Sequence, residues 1–109
     1  MIVNKPAVFI YTVRPDPDIL REIRAGMEEE GVFCEVTPQA DAAADVLAWH
    51  AAEDSMPGCG IGLCENDVVL QLKGLPMGRN VESYSYPTKE QSRTLGANAA
   101  RAIKKQALR

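Results

Sequence analysis

Histidine is almost missing from this chain: His50 is the only one among 109 residues. That leaves nearly no room for a histidine-dependent triad or a histidine-rich metal centre. Cysteine is scarce and odd in number, with three residues at Cys34, Cys59 and Cys64. Cys59 and Cys64 share one apolar run at an odd offset. That places them on opposite faces of a strand, where they can neither pair nor share a metal. They read as small buried hydrophobes of a reducing compartment. No apolar run approaches the roughly 20 residues of a membrane span, and no charged-then-apolar leader precedes a cleavage site. A cytoplasmic protein without a membrane partner is the expectation. Basic excess is missing too: 12 Lys and Arg face 15 Asp and Glu, for a net charge of −3. That balance argues against a general nucleic-acid binder.

Catalytic signatures are equally thin. Gly58, Gly60 and Gly62 lie between a helix end and a strand, whereas a dinucleotide fingerprint leaves a strand and opens a helix. Gly78, between Met77 and Arg79, makes no phosphate loop. His50, beside Trp49, reads as a surface or half-buried residue rather than a base. Asp67 after Asn66 reads as turn chemistry. No nucleophile has a visible activating partner, so no catalytic residue is expected.

What is present is an ordinary apolar content of 46% with 25% charged residues, enough for one domain over 1–109 with a single core. Residues 7–13 form an apolar run suited to a buried strand. Asp16 as N-cap and Pro17 at the first helical position open a helix, with Ile19, Leu20, Ile23 and Met27 at helical spacing and Gly31 as the stop. Residues 32–37 read as a second strand. An alanine-rich helix follows over 41–53, with Ala43, Val46, Leu47 and Ala51 inward. Met56-Pro57-Gly58 breaks it. Strands at 60–64 and 68–72 flank the Glu65-Asn66 turn as an antiparallel hairpin. A loop over 74–80 leads to a fifth strand over 81–86, marked by Tyr84 and Tyr86. Thr88 and Gln91 form a capping box for the last helix. This order places helices on both faces of a mostly parallel sheet. Right-handed crossovers favour strand order 2-1-3-4-5 with strand 4 antiparallel to the rest.

Two stretches stand apart from this pattern. Glu28, Glu29 and Glu30 sit at the carboxyl end of the first helix, where each carboxylate costs roughly 0.3–1 kcal/mol against the helix dipole. At about 100° per residue, Glu28 and Glu29 point away from the apolar stripe and Glu30 lies nearer its edge. Two readings stay open: a solvated face balanced by Arg21 and Arg24, or a site facing a cation, either a metal or a partner's arginine. In the last helix, Gly96 costs about 1 kcal/mol against alanine, which close approach of another backbone would justify. Leu95, Ala99, Ala102 and Ile103 form its inward stripe; Thr94, Asn98, Arg101 and Lys105 form a polar one. Arg101, Lys104, Lys105 and Arg109 stand where the dipole favours cations.

Gly26-Met27-Glu28-Glu29-Glu30-Gly31 resembles the G-I-E-E-E-G segment of the small subunit of diol and glycerol dehydratase reactivases, which also occurs in the homologous medium subunit of the B12-dependent dehydratases. Gly60-Ile61-Gly62 with its hairpin, then Lys73-Gly74-Leu75-Pro76, is similar to that family's third strand and K-x-L-P loop. Arg93-Thr94-Leu95-Gly96-Ala97-Asn98-Ala99-Ala100-Arg101 looks like its R-x-x-G-x-N-A-A-R helix. The last residues, Lys104-Lys105-Gln106-Ala107-Leu108-Arg109, depart from the family's K-G-x-P-F end, and residues 37–41 lack the histidines common after strand 2.

The resemblance implies a three-layer α/β/α sandwich on a mixed five-stranded sheet, akin to anticodon-binding domains. It implies a non-catalytic subunit that docks on an actin-like and Hsp70-like ATPase large subunit. By subunit exchange with B12-dependent dehydratase subunits, the complex lets damaged cobalamin escape. No cofactor is expected to bind the isolated chain tightly, and cobalamin is handled indirectly. The middle glutamate of the family's triplet helps hold a divalent metal at the large-subunit junction. Glu29 matches it, with Glu28 and Glu30 beside it, so magnesium at the interface is implied. Glu28, Glu29, Gly96, Asn98 and Arg101 are the expected partner-interface residues. The implied location is cytoplasmic, free or associated with a bacterial microcompartment. Length favours the reactivase, since dehydratase medium subunits usually carry a long amino-terminal extension; such a medium subunit is the alternative. A small RNA- or ligand-binding domain is a third reading, opposed by the acidic charge and the lack of an aromatic–basic cluster.

Overall fold

Alternating side chains along each strand divide the apolar residues between two faces of one sheet, and the two faces have different textures. The computed structural model describes residues 7–107, with side chains to residue 104. Its elements run β1 (Ala7–Val13), α1 (Pro17–Glu29), β2 (Phe33–Pro38), α2 (Ala44–Asp54), β3 (Cys59–Cys64), β4 (Asp67–Leu72), β5 (Glu82–Ser85) and α3 (Lys89–Ala107). The sheet order is β2-β1-β3-β4-β5. β1 is parallel to β2 and β3, while β4 is antiparallel to β3 and β5. This is the order and the sense expected from the sequence.

One face is thick. Val8 and Ile10 of β1, Cys59, Ile61 and Leu63 of β3, and Val68 and Leu70 of β4 are buried beneath Ile19, Ile23 and Met27 of α1 and Leu95, Ala99 and Ile103 of α3. Each fully buried aliphatic side chain here contributes about 1.5–3 kcal/mol. The other face is thin. On β3 it presents Gly60 and Gly62, and α2 lies so near that a Cβ at Gly60 would stand 2.2 Å from Ala52 N, and one at Gly62 2.1 Å from Ala44 O. The alternating glycines therefore make room for a helix backbone. Cys59 belongs to the thick face and packs with α1 and α3, whereas Cys64 packs on the α2 side, as the odd spacing requires.

The helix signals act as expected at α1 and α3. Asp16 Oδ1 accepts from Asp18 N (2.9 Å) and Ile19 N (3.1 Å). Gly31 takes φ 75° and Val32 N donates to Met27 O (3.2 Å), closing the helix. Thr88 N donates to Gln91 Oε1 (2.9 Å) and Gln91 N to Thr88 Oγ1 (3.0 Å), the reciprocal pair of a capping box.

Helix α2 starts three residues later than expected. Asp41 does not cap it, because its carboxylate pairs with Arg14 Nη2 at 3.3 Å, and Ala43 stays extended with no side-chain cap. The inward face is accordingly Ala44, Leu47, Ala48, Ala51 and Ala52, while Ala43 is exposed and Val46 half-buried. In α3 the buried stripe takes Ala100 in place of Ala102. β5 is shorter than expected because Tyr86, exposed and at φ 53°, has already left the sheet. Asp67 opens β4 instead of a turn, and its carboxylate accepts from Ser85 Oγ across the ladder. The side chains of Lys105 and Arg109 lie outside the described residues. Among the described residues no helix is long and apolar enough to cross a membrane.

Candidate functional site

Helices α1 and α3 cross where each carries a glycine. A Cβ at Gly26 would stand 2.0 Å from Arg93 O, and one at Gly96 2.1 Å from Ile23 O. Backbone therefore meets backbone, and side chains on either flank of the crossing are brought within reach. On α1 these are Glu22, Glu29 and Glu30; on α3 they are Arg93, Arg101 and Lys104. The result is a seam of ion pairs. Arg93 Nη2 stands 2.9 Å from Glu22 Oε1, its Nε donates to the same oxygen at 3.1 Å, and its Nη1 reaches Glu29 Oε2 at 3.4 Å. Arg101 Nη2 stands 3.2 Å from Glu30 Oε2, and Lys104 Nζ 3.0 Å from Glu30 Oε1. Lys104 Nζ also donates to Glu30 O at 3.1 Å, placing a cation on the carbonyl end of α1.

Cations of α3 thus balance two of the three glutamates, Glu29 and Glu30. Arg21 pairs with Asp18 in the first turn at 2.7 Å, and Arg24 lies beside Cys34 in the pocket that Glu28 also lines. The three glutamates have different surroundings. Glu30 is half-buried, and its hydrogen bond from Lys104, reinforced by Arg101, holds its carboxyl below the usual carboxylate range. Glu28 is exposed and lines a shallow pocket of about 390 Å³ with Arg24, Phe33 and Cys34 beside β2. Glu29 is 59% exposed and touches only one end of the Arg93 guanidinium.

The interface residues expected from the sequence are therefore divided. Glu29 and Arg101 lie on the same α1–α3 surface, paired with Arg93 and Glu30 respectively, and Glu28 turns toward β2. Asn98 lies on the other flank of α3, where its Nδ2 donates to Glu82 Oε2 at 2.5 Å. Gly96 is buried, and the backbone it approaches is that of α1 in this same chain. Sequence reasoning missed Glu22, whose side chain is 7% exposed, and gave Arg93 no role. Their signal was present: Glu22 precedes Gly26 by one helical turn, and Arg93 precedes Gly96 by three residues.

Among the described residues, no three His, Cys, Asp or Glu side chains converge to hold a metal. A magnesium ion commonly takes only one or two protein carboxylates and completes its octahedron with water and phosphate oxygens. Exposed Glu29 fits as one such ligand of an ion shared with another chain, provided its carboxylate leaves the guanidinium beside it.

Elsewhere burial acts on the thiols and on one phenol. Burial pushes the Cys59 thiol up to about 12 and raises Cys34 and Cys64 as well. Burial, with the hydrogen bond donated to Asp54 Oδ2 at 2.5 Å, pushes the Tyr11 hydroxyl up to about 12. His50 is exposed and meets Trp49 edge to face. The crevice at the carboxyl ends of β1 and β3, where doubly wound sheets bind ligands, is bridged by Arg14 between Asp41 and Glu65 (3.1 Å). The loop after β4 is pinned by buried Gln71, whose Nε2 donates to Leu72 O, Leu75 O and Arg79 O at 3.3, 3.3 and 3.0 Å.

Comparison with known proteins places this geometry. Residues 5–109 match the family model described as dehydratase medium subunit. The chain is 31% identical over 102 residues to the propanediol dehydratase-reactivating factor small subunit of Citrobacter freundii, covering 91% of this chain and 86% of that one. The Salmonella typhimurium protein of the same description is 30% identical over 104 residues, with 93% and 88% covered. A solved diol dehydratase-reactivating factor, complexed with ADP and Mg2+, superposes at TM-score 0.86 with 27% identity, over 94% of this chain and 95% of that one. A glycerol dehydratase reactivase superposes at 0.84 with 28% identity, over 93% of each.

Proposed function

The chain belongs to the dehydratase medium subunit family, and from that membership we propose that it is the small, non-catalytic subunit of a factor reactivating a B12-dependent diol or glycerol dehydratase. The observation that carries this reading is the likeness to reactivating-factor chains, which runs nearly from end to end of both partners. In this role the chain docks on a large subunit, an actin-like and Hsp70-like ATPase. The carboxyl end of α1 forms part of the contact. Glu29 gives a divalent ion one charged oxygen, and the large subunit and water give the rest. When bound, the ion supplies an electrostatic bridge between two surfaces. Nucleotide-driven exchange of this chain for the dehydratase's own medium subunit loosens the dehydratase and lets damaged cobalamin leave. The chain positions; it does no bond chemistry.

The test is reconstitution. Dehydratase inactivated by glycerol is mixed with the large subunit, ATP, magnesium and fresh adenosylcobalamin, with and without this chain. Recovery of diol turnover that needs both subunits is the expected result. The family's description favours a second reading, a structural subunit of the dehydratase itself. Turnover that needs this chain but no large subunit establishes that alternative. The metal has its own test. Glu29→Gln removes a carboxylate from a helix carboxyl end and an exposed ion pair, terms of opposite sign and each at most about 1 kcal/mol, so the free chain keeps its stability. Its calorimetric affinity for the large subunit falls when magnesium is present, and Glu28→Gln has a smaller effect. Equal binding by both variants and the parent, with no effect of magnesium, removes the metal from the reading.

A further inference from the structure

Arg93 is the one cation of the seam that divides itself between two carboxylates of unlike exposure. Its firm hold is on Glu22, at 2.9 and 3.1 Å, a side chain only 7% exposed. Its outer nitrogen reaches Glu29 at 3.4 Å, a side chain 59% exposed. A buried carboxylate stripped of its partner is costly, so the Glu22 contact persists. An exposed pair at that separation is worth little and exchanges readily. Glu30, by contrast, is held by two cations at 3.2 and 3.0 Å and is not free to leave.

We propose that Arg93 is an intramolecular latch on Glu29: its guanidinium competes with the divalent ion for that carboxylate and yields it when the ion and the large subunit arrive together. The inference rests on the function proposed above and specifies how its metal contact is regulated. In the free chain, the Arg93 guanidinium stands against Oε2 of Glu29, and its positive charge repels a divalent ion brought to the same carboxylate. Glu22 is the positioning residue that keeps Arg93 anchored in both states. A subunit without its partner thus keeps a competing charge beside its metal ligand, and weak adventitious binding of magnesium is reduced.

The experiment is calorimetric titration of the large subunit with this chain across a magnesium series, reading the half-saturating ion concentration. Arg93→Lys keeps a charge for Glu22 but loses the forked reach to a second carboxylate. The double variant Glu22→Gln with Arg93→Gln removes the latch without leaving a buried charge unpaired. Both are expected to lower the half-saturating concentration about two- to fivefold, the range set by one exposed ion pair. A merely structural Arg93 gives weaker assembly at every magnesium concentration with no shift toward lower ones, and that result overturns the latch. A midpoint equal to the parent's, in a series where Glu29→Gln abolishes the magnesium effect, also overturns it while leaving the metal reading intact. A parent indifferent to magnesium overturns both.

Discussion

Replacing Gly96 with alanine sets two magnitudes against each other. Helix propensity favours the change by about 1 kcal/mol, because glycine is the poorer helix former. The crossing opposes it. The new Cβ would stand 2.1 Å from Ile23 O, 2.9 Å from its carbonyl carbon and 3.2 Å from its Cα. The obstacle is backbone, which has no rotamer to yield. Restoring ordinary contact at 3.4 Å requires α1 and α3 to part by about 1.3 Å. Overpacking of this kind costs about 1–3 kcal/mol, and the unyielding contact places it at the upper end. Parting the helices also stretches the charged hydrogen bonds between Arg93 and buried Glu22, of a class worth about 1.5–3 kcal/mol each when intact. The net is a loss of about 3 kcal/mol, or a fall in Tm of roughly 12–20 °C for a domain of this size. Thermal and urea unfolding followed by circular dichroism measure it. Thr94→Ala, exposed on the same helix, is the control and gains a few tenths of a kcal/mol. Gly26→Ala made together with Gly96→Ala costs less than the two changes summed, because one separation of the helices relieves both clashes. A Gly96→Ala chain that melts at or above the parent refutes the crossing argument.

Two further predictions concern protons. Tyr11, pushed up to about 12 from 10.0, favours the folded state fully below pH 10, and that contribution is lost as pH rises toward 12. Absorbance titration of the phenols shows one late step near pH 12 that Tyr11→Phe removes; an unchanged profile in that variant is the contrary result. Glu30 has a lowered pKa, so its contribution is present above its ordinary 4.5 and is lost as pH falls through the lowered value. The stability gap between the parent and Glu30→Gln therefore closes as urea titrations move from pH 6 to pH 3, and a gap that stays constant counts against the Lys104 and Arg101 pairs.

The fold was legible because its signals are local. Asp16, Pro17 and Gly31 bound α1, Thr88 and Gln91 open α3, and the period of two along β3 and β4 assigns each residue to a face. The start of α2 was less legible, since Asp41 is a good cap by type but is drawn away by Arg14, 27 residues earlier. The site was legible only as an anomaly. Three carboxylates at the wrong end of a helix signal that cations must come from somewhere, yet sequence spacing points to Arg21 and Arg24 on the same helix. The partners of Glu29 and Glu30 lie 64 to 74 residues away on α3, and only the crossing brings them near. Glu22 was hidden for the same reason: its burial is created by a neighbour that one helix's periodicity does not reveal.

The distance along the chain between the two halves of that seam also shapes how the protein is made. About 60 residues separate the end of α1 from the start of α3. At a synthesis rate of about 5–20 residues per second, α1 waits roughly 3–12 s for its partner to be translated. Throughout that interval Ile23 and Met27 have no α3 to cover them, and Glu22 has no Arg93. The sheet can pair β1, β2, β3 and β4 while the ribosome is still working, but its thick face stays open until α3 is out. A nascent chain stalled before residue 89 would therefore present a sticky, acid-flanked helix to the cell, a natural substrate for holding chaperones. Of the three helices described, the one made latest is the one that closes the core.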